Sequence, residues 1–319
     1  MGTNRGCRPS AVHIELNKQI VAARGAESIL AIVEAEHGAF NAVNAATACN
    51  RLAKTRQAWS QCPRMDDHRV QTLFSTIVRV SADMVGQSVA NTLWALATLG
   101  WQAGEGPMRS ALEGAAVRVA PSMNAQAVAN ALWALATLGW QANAELASCF
   151  QAHVDAQSRN SSLVQLPTKE LAQLLQAHLA SQFLGLGLLT LPFPTLQVAL
   201  KAYRELAREV TVTTGQREVG ESLRRLGVSH ELEYITADGL FSIDLAIVER
   251  RIALEFDGPS HFTTNTLKPL GRTLLRDRLL CAMGWHVVSI PFFDWNKLHH
   301  PEQMDAYVKR RLLPDVPTP

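Results

Sequence analysis

Three carboxylates and a histidine crowd one short stretch late in this 319-residue chain: Asp244 within SIDLA, Glu255 and Asp257 within ALEFD, and His261 just past Gly258-Pro259. Alternation along a strand places Asp244 on the face opposite Ile243 and Leu245, and Glu255 with Asp257 opposite Leu254 and Phe256. If the two strands pair as a hairpin, the three acids converge. Carboxylates held that close repel one another, so one takes a proton or a cation neutralises them. A divalent ion such as Mg2+, liganded by Asp244, Glu255 and Asp257, is one solution. Such an ion activates water for phosphodiester cleavage, with His261 a fourth candidate for catalysis. The other solution is structural, an ion-pair network in which Arg250, Arg251 or Arg272 faces the acids.

The elements that must position these residues follow a mixed pattern. Helices are expected over residues 196–210 and 217–226, strands over 231–236, 240–248 and 251–256, a helix over 272–283, a strand over 286–291 and a last helix over 301–313. That order describes a small mixed sheet with helices against it.

The first two-thirds of the chain is organised differently. MVGQSVANTLWALATLGWQ (84–102) returns as MNAQAVANALWALATLGWQ (123–141), a period of 39 that sets Asn91 on Asn130, Trp94 on Trp133 and Gly100 on Gly139. A fixed period of this size denotes stacked supersecondary units. Val85, Val89, Leu93, Leu96 and Leu99 share a helical face, with Gln87, Asn91 and Thr98 opposite, and Gln126, Asn130 and Thr137 repeat that stripe. Gly100 and Gly139 sit where left-handed caps would end the helices. A second helix follows each, clearest over 108–119, so the units are helix pairs in an α-solenoid. Weaker copies flank them at 40–54 and 170–180, residues 157–168 form a loop, and the Gly/Pro segment 185–194 marks the boundary. The resulting division is an N-terminal segment (1–35), read as targeting or flexible; repeats (36–184, clearest at 84–122 and 123–161); linker and helices (185–230); a C-terminal domain (231–313); and a tail (314–319).

Net charge is only +2 with 18% charged residues, so bulk electrostatics do not announce a nucleic-acid partner. Between Met84 and Ala142 the only charges are Glu105, Arg109, Glu113 and Arg118, so the array cannot grip phosphates by charge alone. The five cysteines lie far apart and lack CxxC spacing, which fits a reducing compartment and argues against both a disulfide scaffold and a zinc ribbon. No apolar run is long enough to span a bilayer. Arg5 and Arg8 leave a transit peptide open, with Glu15 soon after.

SIDLAIVERRIALEFDGPSHF (242–262), GRTLL (271–275), GWHVVSIP (284–291), Trp295 and Tyr307-Val308 resemble a RAP domain over about residues 231–313. The repeats resemble octotricopeptide repeats, and the combination is similar to the FAST kinase-like mitochondrial proteins. The resemblance implies a chain that is mainly α, a helical-repeat solenoid followed by a small α/β restriction-endonuclease-like domain. It also implies RNA binding in organellar RNA processing, stability or translation, in the mitochondrial matrix or alternatively the plastid stroma. In the wider nuclease family an Asp at position 244 and an acid at 255 or 257 hold metal. Here Asp257 replaces the lysine expected two residues after the second acid, and His261 and Lys268 are the nearest substitutes. That departure leaves RNA binding, which needs no cofactor, intact.

On this reading Gln87, Asn91, Gln126 and Asn130 are amides that bond base edges of single-stranded RNA. Trp94 and Trp133 beside them either stack on bases or fill space between helices, and Trp101 and Trp140 are structural caps. Arg272, Arg276 and Arg278 supply backbone contacts. Other organellar RNA-processing proteins are expected partners. The alternatives are a Mg2+-dependent endoribonuclease using the acid cluster, and a scaffold that binds protein.

Overall fold

The computed structural model describes residues 10–55, 64–101, 106–208, 211–263 and 267–312. Arg5, Arg8, Cys7, Cys62 and the tail 314–319 lie outside the described residues. The array begins earlier than the division expected from sequence. Helices α1 (Ala11–Ala22) and α2 (Ala26–Glu36) bury Leu16, Ile20, Ile29, Leu30 and Val33 in the core shared with the repeats. Then come α3 (Ala42–Thr55), α4 (His68–Val80), α5 (Gly86–Thr98), α6 (Pro107–Val119), α7 (Ala125–Leu138), α8 (Ala144–Arg159), α9 (Thr168–Phe183) and α10 (Phe193–Arg208).

These ten helices form two layers. In the first, α1, α3, α5, α7, α9 and α10 pack in succession; in the second, α2, α4, α6 and α8 do the same. Gly100 and Gly139 take φ of +64° and +71° as the caps of α5 and α7. The Trp101 and Trp140 amides reach back to the Leu96 and Leu135 carbonyls at 2.9 and 3.0 Å, the longer bond of a Schellman end. Both indoles are buried as structural caps. Val85 departs from the expected apolar face: it is the N-cap of α5, ahead of the first turn, and is exposed.

One side chain at a 39-residue spacing, an arginine in two of three cases, ties the layers together. Arg79 on α4 donates to the His37 and Phe40 carbonyls at 2.7 and 3.2 Å, and Arg118 on α6, 39 positions later, donates to those of Ser81 and Met84 at 3.1 and 2.9 Å. Gln157, another 39 on, reaches the Met123 carbonyl at 3.1 Å with His153 beside it at 2.8 Å. The basic side chains of the repeats thus satisfy backbone carbonyls left open where helices end.

The Gly/Pro segment expected to separate the halves packs on the array instead. Leu186, Leu188, Leu189 and Leu191 are buried, the Ala142 amide donates to the Leu186 carbonyl at 2.9 Å, and α10 continues the first layer against α9.

The C-terminal unit comprises α11 (Thr214–Arg225), β1 (Glu231–Ile235), β2 (Ser242–Ile247), β3 (Ile252–Asp257), α12 (Gly271–Ala282), β4 (His286–Pro291), the single turn α13 (Phe292–Trp295) and α14 (Pro301–Leu312). The sheet order is β1-β2-β3-β4, antiparallel except for the parallel β3–β4 pair that α12 connects. Leu245, Leu254, Val288 and Ile290 join Val219 and Leu223 of α11 and Val308 of α14 in one core. Ala246 and Ala253 belong instead to the core of the array, together with Leu275, Leu279 and Leu280 of α12.

Helix α12 therefore lies between the sheet and the first layer of repeats, packing on α5, α7 and α9. Gly271 is its entry point: a Cβ there would stand 1.9 Å from the Ala97 carbonyl oxygen and 2.6 Å from Thr137 Cγ2. Arg278 donates to the Ala136 carbonyl at 3.1 Å and also to that of Thr137, capping the negative end of α7. Array and sheet thus share one core.

Candidate functional site

Leu245 pairs with Leu254 across β2 and β3, which brings Asp244 opposite Glu255. Asp244, Glu255 and Asp257 are strand neighbours of the alanines that face α12, so the acids look toward that helix, where Arg276 and Asp277 meet them. Arg276 Nη1 lies 2.6 Å from Glu255 Oε2, and its other nitrogen donates to the Ser242 carbonyl. The cation that neutralises the cluster is thus Arg276. Arg251 lies over the Trp285 ring and donates to the Met283 carbonyl, and Arg272 donates to the Ser260 carbonyl at 3.0 Å.

Each acid has a protein partner. Asp244 Oδ2 accepts from the Phe256 amide at 2.8 Å. Asp257 Oδ1 lies 2.7 Å from His261 Nδ1, and its other oxygen accepts from the Ser289 hydroxyl. Glu233, on β1 with φ +49°, accepts from Gln216 at 3.0 Å and Ser242 at 2.9 Å. Burial pushes the Glu255 carboxyl up to about 8, against the attraction of Arg276. Burial, then the Asp257 charge, pushes Asp277 up to about 6. Asp244 and Glu233 rise for the same first reason, burial.

The metal reading requires Asp244, Glu255 and Asp257 to turn oxygens onto one point. Among the described residues no group of three His, Cys, Asp or Glu side chains is placed to hold an ion. Arg276 occupies the approach to Glu255, and both Asp257 oxygens face protein donors. The residues present do not fit a Mg2+ ion in this arrangement, and no hydrolytic step is derived through one.

The expected RNA-binding residues divide. Gln87 and Gln126 are exposed on the first-layer face, with Asn91 and Asn130 half-buried behind them. Gln126 Nε2 approaches Glu170 Oε1 at 3.4 Å. Trp133 is buried and fills space between helices, whereas Trp94 is half-buried. Thr98 and Thr137, expected on the open stripe, are buried at its α12 end. Arg272 is exposed on the first turn of α12, but Arg276 and Arg278 are turned inward onto Glu255 and the α7 carbonyls. Helical spacing does place Arg272 and Arg276 on one side, yet that side faces protein beyond the first turn.

Sequence reasoning missed Glu233, Asp277, Ser289 and Gln216. Asp277 carried a signal, an acid between two arginines in a helix facing an acid pair. It also missed two cations on the stripe face. Lys54 holds in α3 the place of Thr98 in α5, and Lys169 holds in α9 the place of Gln126 in α7, counting from each helix start; both are exposed.

Residues 254–311 match the family model of the RAP domain, so the part of the C-terminal unit from β3 to α14 is a RAP domain, with Asp244 on β2 ten residues ahead of the matched stretch. The chain is similar to a RAP domain-containing chloroplastic protein of Oryza sativa subsp. japonica, 38% identical over 97 residues, which is 30% of this chain and 15% of the rice protein. It is also similar to mitochondrial FAST kinase domain-containing protein 3 of Homo sapiens, 34% identical over 66 residues (21% of this chain, 10% of that protein). The Bos taurus counterpart is 33% identical over 73 residues (23% and 11%). The chain thus covers only 10–15% of the length of these relatives. No helix among the described residues is long and apolar enough to cross a membrane.

Proposed function

We propose that this protein is an RNA-binding factor of a mitochondrion or plastid, holding single-stranded RNA along the first-layer face of its repeats and against the flank of its RAP domain. One observation carries the reading: α12 docks on the C-terminal turns of α5 and α7 at Ala97 and Thr137, so that the stripe of Gln87, Asn91, Gln126 and Asn130 runs along those helices toward the helix that bears exposed Arg272. Amides bond the edges of unpaired bases, which a duplex would hide. The half-buried Trp94 ring offers a stacking surface worth ~1–3 kcal/mol per base. Lys54, Lys169 and Arg272 add the phosphate contacts that the two central repeats lack.

The RAP domain and the chloroplastic and mitochondrial relatives support an organellar, RNA-associated role; processing, stability or translation of transcripts, in company with other RNA-processing proteins, is the finer role proposed for it. The test is equilibrium binding of the purified chain to a pool of short RNAs in chelator. Capture that weakens with added salt is expected. A chain that retains no RNA while protein partners are recovered on it would show a scaffold instead.

A further inference from the structure

A cavity of about 620 Å³ opens at the carboxyl ends of the parallel strands β3 and β4. Gly258 to His261 follow β3, and Phe292, Trp295 and Asn296 follow β4; all of these line it. Ligands of open α/β sheets bind at such strand ends. Its chemistry is uneven: aromatic on the walls, acceptor-rich at the back, donor-rich on one side.

The walls are the half-buried rings of Phe256 and Phe292. A Cβ on Gly215 would stand 2.2 Å from the tip of the Phe256 ring, so the bare glycine backbone lets the start of α11 close on that ring where it now lies. The acceptors are Glu218 and Asp244. Glu218 Oε2 takes the Trp295 indole N–H at 2.8 Å, and its other oxygen has no hydrogen bond among the described residues. Behind Asp244 a second cavity of about 310 Å³ shares Asp244 and His261 with the first. It is lined by Glu255, only 3% exposed, whose Oε1 has no hydrogen-bond partner among the described residues. The donors are the Thr214 and Gly215 amides, the first two of α11, which lack intrahelical partners.

A flat ligand with two adjacent N–H donors and a neighbouring acceptor matches this lining. We propose that the cavity takes one unpaired guanine, with Glu218 and Asp244 accepting from N1–H and the N2 amine and the α11 amides donating to O6. Adenine, cytosine and uracil each lack part of that edge, and an acid-lined interior excludes the phosphate itself. The phosphate stays at the mouth, where exposed Arg272 is bonded to the lining residue Ser260; Lys297, next to the lining residue Asn296, is paired with Asp294 at 3.1 Å. The α11 amides, donors that a guanidinium has no acceptor to meet, and exposed Arg272 disfavour an arginine side chain, the other donor-rich candidate. The inference rests on the RNA-binding reading and adds a base preference to it.

The test compares an oligouridine strand carrying one guanosine with the same strand carrying inosine, which lacks only the N2 amine, or adenosine. Binding to the full chain is followed by fluorescence anisotropy in chelator. The guanosine strand should bind about tenfold tighter, the size of a lost bidentate base contact. Glu218→Gln, which can still accept from Trp295, should erase the preference, and Asp244→Asn serves as a second variant. Guanosine monophosphate should compete and arginine amide should not. Equal affinity for guanosine and inosine strands, or competition by arginine amide alone, overturns the guanine site while leaving RNA binding in place. Failure to bind any strand overturns both.

Discussion

Gly271 meets Ala97 so closely that a methyl group on Gly271 would stand 1.9 Å from the Ala97 carbonyl oxygen. One residue opens the RAP helix α12, and the other lies in the last turn of repeat helix α5. Backbone cannot yield as a flexible side chain can, so the contact fixes how the two parts of the protein lie. Gly271→Ala should cost about 1–3 kcal/mol through overpacking. Thermal melting should show the loss, and limited proteolysis should show cleavage between array and sheet before either part unfolds.

Glu255 makes stability depend on pH. Its carboxyl is pushed by burial from an ordinary 4.5 up to about 8, so the folded chain holds that proton more tightly than the unfolded chain does. The contribution is complete below 4.5 and is lost as pH rises through about 8. The melting temperature should therefore fall between pH 5 and pH 8, and Glu255→Gln should flatten that fall. Arg276→Met removes the cation that holds this carboxyl down, so the acid should keep its proton to higher pH, and the lost hydrogen bond should cost about 1–3 kcal/mol. The double variant should recover most of it.

The repeat arginines are structural, and their contributions should add. Arg79→Ala and Arg118→Ala each remove bonds to carbonyls of a different helix junction. Each should cost about 1 kcal/mol in a denaturant titration. The double variant should lose the sum, because the junctions share no partner. Neither should change RNA affinity.

Amides and cations on the RNA surface should separate by their salt response. Arg272→Ala should weaken binding to all sequences alike and reduce the salt slope by about one. Gln126→Ala with Asn130→Ala should weaken binding and leave the slope unchanged. Arg278→Ala should act through stability, since its guanidinium caps α7.

Local structure was legible wherever one segment's own pattern decides it. Gly100 and Gly139 announced their caps, and the alternation in SIDLA and ALEFD put the three acids on one side of the sheet. The strand–helix order of the RAP domain follows from turn residues and apolar periods. What the sequence hid is long-range. Thr98 and Thr137 look solvent-facing on a helical wheel, because nothing nearby in sequence reveals that α12 will cover them. Arg276 and Arg278 look like a surface basic patch for the same reason. Their partners, Glu255 and the end of α7, are remote in the chain. Glu233 reached the site through a left-handed residue inside a strand, which no propensity suggests.

The central claim is that RNA lies along the first-layer stripe and against the RAP flank at once. Ultraviolet crosslinking of the full chain to a short single-stranded RNA in chelator, mapped by mass spectrometry, tests it directly. Crosslinks are expected on peptides of both α5–α7, around Gln87 to Trp94 and Gln126 to Asn130, and the RAP segment around Ser260 to Arg272. Crosslinks confined to the second layer, α2, α4, α6 and α8, or an absence of crosslinks at saturating RNA, would contradict it.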